Sequence, residues 1–340
     1  MKESSKIVFH DKLTFPDIVN YLKLADDGFL ALVDSNDKLI GVVTDSDLRR
    51  AILNQTTTIK EVINFKPFFL HHELSNEEIF DFSVQNRIKH IPLVDNNHNL
   101  KDIFIQKNNQ LKIRENKVVV MVGGLGKRLG HLTKNTPKPM LKIMGKPILE
   151  YIIESFTEEG FYKFIFCVNY KHEIIKNYFK QGKRFGAEIS YVFEKNKLGT
   201  AGAISLINDK DTKDPFFVVN GDVLSLVNYN EILNSYTLTK ADALMCVKKN
   251  NYTNPYAVVN FDDDNNLISL EEKPVTTFHF NSGIYIINNS IKTLITKNSL
   301  FDMPDLFIKA KLNNKIVKVY HIKDNWFDVG TKEDFKKFEN

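Results

Sequence analysis

At 340 residues, with 43% hydrophobic and 26% charged residues, the chain can build two cores and has the charge content of an ordinary globular protein. Its formal net charge of +4 is dispersed, which excludes the concentrated basic stripe of a nucleic-acid binder. No apolar run approaches the roughly 18 residues of a membrane span, and Met1-Lys2-Glu3-Ser4-Ser5 does not open a secretion signal, so a cytoplasmic protein with no membrane or nucleic-acid partner is expected.

The N-terminal part repeats itself at an offset of 61 residues. Leu32-Val33-Asp34-Ser35-Asn36 matches Leu93-Val94-Asp95-Asn96-Asn97, while Thr14, Ile18 and Val19 align with Ser75, Ile79 and Phe80. In each copy a hydroxyl residue precedes an acid by three positions (Thr14/Asp17, Ser75/Glu78), the signature of a capped helix start. An apolar strand, a polar turn and a second apolar strand follow. These features predict a small unit over residues 1–110, in repeats of about 1–55 and 56–110, then a polar linker at 111–117 and a larger domain over 118–340.

Beyond the linker, strand-like runs at Val118–Val122, Phe164–Val168, Phe216–Val219 and Ala243–Val247 alternate with helical patterns at Ile148–Phe156, Glu173–Phe179 and Tyr229–Leu238. That alternation predicts an α/β fold with a mainly parallel sheet and helices on both faces. Ligands of such sheets gather at the carboxyl ends of the strands. Cys167 and Cys246 each sit within an apolar run, without a Cys-x-x-Cys spacing, and read as core residues.

The first strand runs into Gly123-Gly124-Leu125-Gly126-Lys127-Arg128-Leu129, a turn whose amides can approach a polyphosphate. Met121 stands where a Walker A loop needs glycine, and Leu129 where a dinucleotide fingerprint needs one. Lys127, Arg128 and Lys138 suit triphosphate charge, and Pro137 and Pro139 fix the backbone around Lys138, which otherwise reads as a solvated lysine of a loop. Asp222 ends the strand Phe216–Val219 after Asn220-Gly221, and Asp328 follows Trp326-Phe327; each reads as a Mg²⁺ ligand or as a turn or cap residue. Thr331 and Asp334 predict a capped helix start beyond it. Asp262-Asp263-Asp264 reads as a solvated turn, and Glu272-Lys273 as a binder of sugar hydroxyl and phosphate or a plain salt bridge.

Gly123–Leu129, Pro137-Lys138-Pro139-Met140, Leu198-Gly199-Thr200-Ala201-Gly202, Asn220-Gly221-Asp222, Glu272-Lys273-Pro274, Asn281-Ser282-Gly283 and Trp326-Phe327-Asp328-Val329-Gly330, in this order, resemble the motifs of sugar-1-phosphate nucleotidyltransferases. The N-terminal repeats resemble a tandem pair of cystathionine-β-synthase (CBS) motifs, chiefly through Leu39-Ile40-Gly41-Val42-Val43-Thr44-Asp45-Ser46-Asp47. In the second copy Asp102, Ile105 and Asn108 replace Gly41, Thr44 and Asp47. The resemblance implies a Rossmann-like domain preceded by a smaller α+β CBS domain. It implies transfer of a nucleotidyl group from an NTP to a sugar 1-phosphate, with Mg²⁺ on Asp222 and Asp328 and with Arg128 and Lys138 at the reacting phosphates. Gly123, Gly124, Gly126, Lys127, Gly199 and Thr200 would meet the nucleotide, and Glu272, Lys273, Asn281 and Tyr256 the sugar phosphate. Thr44 and Asp47 would contact a regulatory adenine nucleotide, signalling through the Lys107–Lys117 linker. Lys127 departs from the threonine more usual there.

The motif set is most similar to guanylyltransferases, and GTP with glucosamine 1-phosphate, for nonulosonic acid synthesis, is the expected pair. Mannose or heptose 1-phosphate, or UTP, CTP or dTTP, are the alternatives. A catalytically silent sensor of nucleotide sugar and adenylate is the reading from another class, and a homo-oligomer is expected.

Overall fold

A computed structural model describes residues 5–330 and 335, apart from 10–11, 26–27, 55, 57, 87, 107–112, 125, 213–214 and 324, and without the side chains of Val84 and Lys127. Residues 107–112, which include the first two of the linker, and the expected helix start at Thr331 and Asp334 therefore lie outside the described residues.

The internal repeat is a structural repeat. The first copy comprises β1 (Lys6–Val8), α1 (Phe15–Leu24), β2 (Phe29–Val33), β3 (Leu39–Thr44), α2 (Asp45–Leu53) and α3 (Ile59–Val62). The second comprises β4 (Leu70–His71), α4 (Asn76–Asn86), β5 (His90–Val94) and β6 (Leu100–Ile105). Each forms a three-stranded sheet in which the edge strand runs parallel to the middle one and the third antiparallel. Both sheets carry an irregularity at the same place, between Leu32 and Val33 and between Leu93 and Val94. Thr14 and Asp17 close a reciprocal capping box, and Ser75 and Glu78 exchange the same bonds.

The rest of the chain holds β7 (Val118–Met121), β8 (Lys142–Ile143), β9 (Lys146–Pro147), α5 (Ile148–Thr157), β10 (Lys163–Val168), α6 (His172–Phe179) and β11 (Glu188–Phe193). It continues with α7 (Gly199–Gly202), β12 (Phe216–Asn220), β13 (Val223–Ser225), α8 (Tyr229–Leu238), β14 (Ala243–Thr253), β15 (Val258–Phe261) and β16 (Leu267–Glu271). Last come β17 (Val275–Ile287), α9 (Asn289–Lys292), α10 (Met303–Leu312), β18 (Val317–Ile322) and β19 (Trp326–Asp328).

Seven strands form one sheet in the order β11-β10-β7-β12-β17-β14-β18. All neighbouring pairs are parallel except those of β17, which runs antiparallel to both β12 and β14. Val118, Val119 and Val120 are fully buried, as expected of a central strand covered on both faces. Outside the sheet β14 and β17 continue as a two-stranded arm, exposed over Lys249–Thr253 and Val275–His279, beside the exposed hairpin β15–β16. The aspartates of that hairpin form the expected turn, Asp262 accepting from the amides of Asp264 and Asn266. Cys167 and Cys246 are buried, and burial raises both thiols.

One apolar core runs from α1 and α2 of the first repeat into β7, α5, β12 and β13. Among the described residues no helix is long and apolar enough to cross a membrane.

Candidate active site

The glycine turn follows β7 at the carboxyl end of the sheet. Gly126 holds φ 60°, and a Cβ there would lie 2.7 Å from Thr133 Cγ2, so a side chain would meet both a left-handed backbone and a clash. The Thr133 hydroxyl donates to the carbonyls of Gly126 (3.0 Å) and Gly130 (3.2 Å), closing the loop onto the 3-10 turn Lys127–Thr133. Arg128 on that turn is exposed.

Pro137 leads into a second 3-10 turn, Lys138–Met140, held by the Met140 amide donating to the Pro137 carbonyl at 2.8 Å. Lys138 is not solvated: its side chain keeps 13% of its exposure and donates to Asp222 Oδ2 at 2.5 Å. Asp222 turns the chain from β12 into β13, and β13 pairs antiparallel with β19, setting Val223 opposite Asp328. This small ladder brings the two carboxylates together around one ammonium, Lys138 Nζ standing 3.6 Å from Asp328 Oδ1. Burial, then the Asp222 charge, raise the pKa of Asp328, opposed by Lys138 and Arg128. Among the described residues no donor lies within hydrogen-bond distance of Asp328 Oδ1, which is shielded from solvent, and the same holds for Asn220 Oδ1 at the end of β12.

Two hard oxygen ligands pressed together, one of them with an unsatisfied buried oxygen, fit a divalent cation. Mg²⁺ takes one or two protein carboxylates and completes its shell with phosphate oxygens and water. Among the described residues no group of three metal-ligating side chains exists, as in sites completed by substrate.

Asn281 sits where β17 bulges against β14. Its Nδ2 donates to the Tyr285 hydroxyl at 2.6 Å, and the neighbouring Ser282 carbonyl accepts from the Trp326 indole at 2.8 Å, tying this bulge to β19. Gly283 backs onto Asn220. Glu272, Lys273 and Tyr256 instead lie exposed on the arm, and among the described residues no hydrogen bond or ion pair joins them to Lys138, Asp222 or Asp328.

Gly199 and Thr200 have a packing task. The Thr200 hydroxyl donates to Asp302 Oδ1 at 3.0 Å and accepts from the Met303 amide at 2.9 Å, fastening α7 to the start of α10. Thr44 and Asp47 close a capping box at the start of α2, and Asp47 also pairs with Arg50 at 2.8 Å. Both line a cleft of about 980 Å³ between the two repeats on one side and α5 and α6 on the other, which Phe29, His90, Lys23 and Arg184 also line.

Glu194 was not anticipated. It follows β11, accepts from the Leu198 amide through Oε2 at 3.2 Å, and its Oε1 would lie 2.5 Å from a Cβ placed on Gly123. Burial raises its pKa. An acid ending an apolar strand, the signal that marks Asp222, also marks this one.

A mainly parallel sheet with a glycine turn, a buried lysine and paired carboxylates at its carboxyl edge defines a phosphate-handling α/β transferase. The Nucleotidyl transferase family profile matches residues 117–340 and the CBS domain profile residues 7–54. The chain belongs to the nucleotidyl transferase family, with a CBS domain at its N-terminus; it is a nucleotidyltransferase.

It is 32% identical over 223 residues to a D-glycero-alpha-D-manno-heptose 1-phosphate guanylyltransferase of Campylobacter jejuni, covering 65% of this chain and 98% of that one. The enzyme of the same name from Aneurinibacillus thermoaerophilus is 33% identical over 225 residues, covering 65% of this chain and 96% of that one. Among solved structures, HddC from Yersinia pseudotuberculosis matches with a TM-score of 0.51 at 26% identity, over 66% of this chain and 97% of that one; a second structure holds it complexed with GMP-PN.

Proposed function

We propose that the chain is a sugar-1-phosphate guanylyltransferase: a sugar phosphate oxygen attacks the α-phosphorus of GTP, the bond to the β-phosphate breaks, and pyrophosphate leaves. The observation that carries this reading is the Lys138–Asp222–Asp328 group beside the glycine turn. Lys138 and Arg128 hold phosphate charge, while the amides of Gly123, Gly124 and Gly126, with Lys127, receive the triphosphate. Asp222 and Asp328 would hold a divalent cation such as Mg²⁺, which would supply charge neutralisation at the phosphates when bound. The attacking group is already an anion, so no protein nucleophile is required. Asn281 stands beside the site, and Glu272, Lys273 and Tyr256 reach the sugar phosphate from the arm.

Guanine is supported by the names of the relatives and by Glu194. Guanine presents N1–H and N2–H side by side, and a carboxylate is the acceptor that answers two adjacent donors. For the sugar, heptose or mannose 1-phosphate is favoured by the relatives' names. Glucosamine 1-phosphate is the further candidate sugar, and this chain differs from the Campylobacter relative by its N-terminal part: 98% of that relative aligns within 65% of this chain.

Pyrophosphate release across five NTPs and a panel of glucosamine, heptose and mannose 1-phosphates tests both choices. We expect turnover confined to GTP, and in Glu194→Gln a loss of about tenfold to a hundredfold in preference for GTP over UTP. Equal use of all NTPs by the unaltered protein would discard the guanylyl reading.

Residues 1–110 are proposed as a regulatory unit, joined by 111–117 to a transferase unit at 118–340 in a cytoplasmic homo-oligomer. Exposed Phe261, Leu267 and Leu270 on the hairpin β15–β16 support self-association. The cleft at Thr44 and Asp47 suits an adenine nucleotide. Phe29 stacks on His90 (ring centroids 4.8 Å apart), burial keeps the imidazole neutral with a pKa of about 3, and Lys23 and Arg184 supply cations for phosphate. Calorimetry with ATP, ADP and AMP should give saturable binding of at least one. Heat from none of them would leave the repeats as a scaffold.

A further inference from the structure

Lys138, Asp222 and Asp328 arrive from three separate segments, and all three segments rest on the first repeat. The Lys138 turn runs directly into the hairpin β8–β9. There Gly145 lies against Val19 of α1, its carbonyl accepts from Lys23 Nζ at 3.1 Å, and Lys146 Nζ donates to Asp45 Oδ1 at 2.5 Å. Asp222 runs directly into β13, which packs against α2. Asp328 ends β19, and Asn325, the residue just before that strand, donates its side-chain amide to Asn54 Oδ1 at the C-cap of α2. Asn325 also accepts from the Leu226 amide at 3.0 Å, just past the end of β13.

Helix α2 thus touches every branch: Asp45 at its first residue, its buried face in the middle, Asn54 at its end. It is also clamped from the side. Arg49 is buried to 2% side-chain exposure, pairs with Glu158 just past α5 at 2.7 Å, and donates to the Tyr151 carbonyl at 3.5 Å. A module that merely docked would need one patch of contact. Here separate contacts fall on the neighbours of each of the three charged residues, and the Thr44–Asp47 cap at the cleft sets where the helix begins.

We propose that α2 of the N-terminal module is part of the catalytic architecture: it fixes the relative positions of Lys138, Asp222 and Asp328, with Asp45 and Asn54 as positioning residues. This rests on the assignment of those three residues to the reacting phosphates. The helix joins the cleft to the site through packing, independently of the linker.

The test uses the full chain with Asp45→Ala and Asn54→Ala. Asn54 is exposed at a helix end and its removal is mild for folding. Asp95→Ala is the control: it strips the turn of the second repeat, where Asp95 Oδ1 accepts from the Asn97 and Asn99 amides at 2.9 Å, without touching α2. Misplacement by about 1 Å costs up to about a hundredfold in rate. We therefore expect kcat to fall about tenfold to a hundredfold in both α2 variants, KM for each substrate to stay within about threefold, and amide exchange to quicken at 142–147 and 326–328. The control should keep wild-type kcat and exchange.

Unchanged kcat in both α2 variants would overturn the proposal, and so would an equal fall in the control, which would mark an effect of module stability alone. Should the unaltered enzyme turn over no substrate pair, the site assignment itself fails. Amide exchange then still decides whether α2 holds these segments, and unaltered rates would sink the idea.

Discussion

Asp222→Asn is expected to lower kcat by about a thousandfold, equivalent to about 4 kcal/mol of lost transition-state stabilisation, while leaving the protein folded. The fold survives because the backbone of this residue does the structural work: its carbonyl accepts from the Val329 amide at 3.2 Å and its side chain is 27% exposed. The amide oxygen left in its place still accepts from Lys138. What disappears is the second negative charge beside Asp328, and with it the paired carboxylate that fits a divalent cation. Steady-state pyrophosphate release, with thermal unfolding as control, checks this. Loss within tenfold would mean that the two carboxylates serve the ladder β13–β19 and not the chemistry. It would also revive the reading of the fold as a sensor that binds without turning over.

The elements that fill the core were legible because their chemistry is local. The apolar run at Phe216–Val219 became β12, and the 3.6-residue pattern at Tyr229–Leu238 became α8 with the same bounds. The repeat was legible to the level of capping boxes, since Thr14/Asp17 and Ser75/Glu78 carry the cap in the side chains themselves. The glycine turn, Lys138, Asp222 and Asp328 were legible as motifs, and the ladder β13–β19 explains how two acids a hundred residues apart meet.

What depended on non-local partners was hidden. Nothing in Val275–Ile287 itself says that β17 slots antiparallel between β12 and β14. Thr200 looks like a ligand contact in its glycine-rich motif, yet its hydroxyl is occupied by Asp302 and Met303, which only the tertiary fold brings near. Glu194 reaches the glycine turn because β11 and β7 flank β10 in the same sheet, a neighbourhood no spacing encodes. The docking of α2 was equally invisible, since Glu158, the partner of Arg49, and Lys146, the partner of Asp45, lie about a hundred residues away in the chain.

Removing one of those charges should give the largest stability effect in the molecule. Lys146 retains 3% side-chain exposure and is shared by Asp45 at 2.5 Å and Glu154 at 2.9 Å. Burial works against the ammonium, but Glu154 and Asp45 raise its pKa above the ordinary range. One cation between two carboxylates leaves an excess negative charge. Glu154 accordingly titrates at about 8, pushed up by burial first and by Asp45 next. In Lys146→Met both carboxylates lose their partner, and breaking a buried pair costs about 3–5 kcal/mol.

The pH dependence has a definite sign. Between an unfolded value of 4.5 and a folded value of about 8, the native protein binds more protons at Glu154 than the unfolded chain, so this carboxyl's contribution to stability falls as pH rises through that window. Loss of the ammonium removes an opposing charge and moves the folded value higher still. Below about pH 7 the carboxyl is protonated in both folded proteins and their stabilities fall in parallel, so denaturant unfolding should show a deficit that is constant from pH 6 to pH 7 and grows between about pH 8 and pH 9. A deficit that stays constant up to pH 9 would mean that Glu154 titrates in the variant where it does in the unaltered protein, and that the ammonium does not set its folded value.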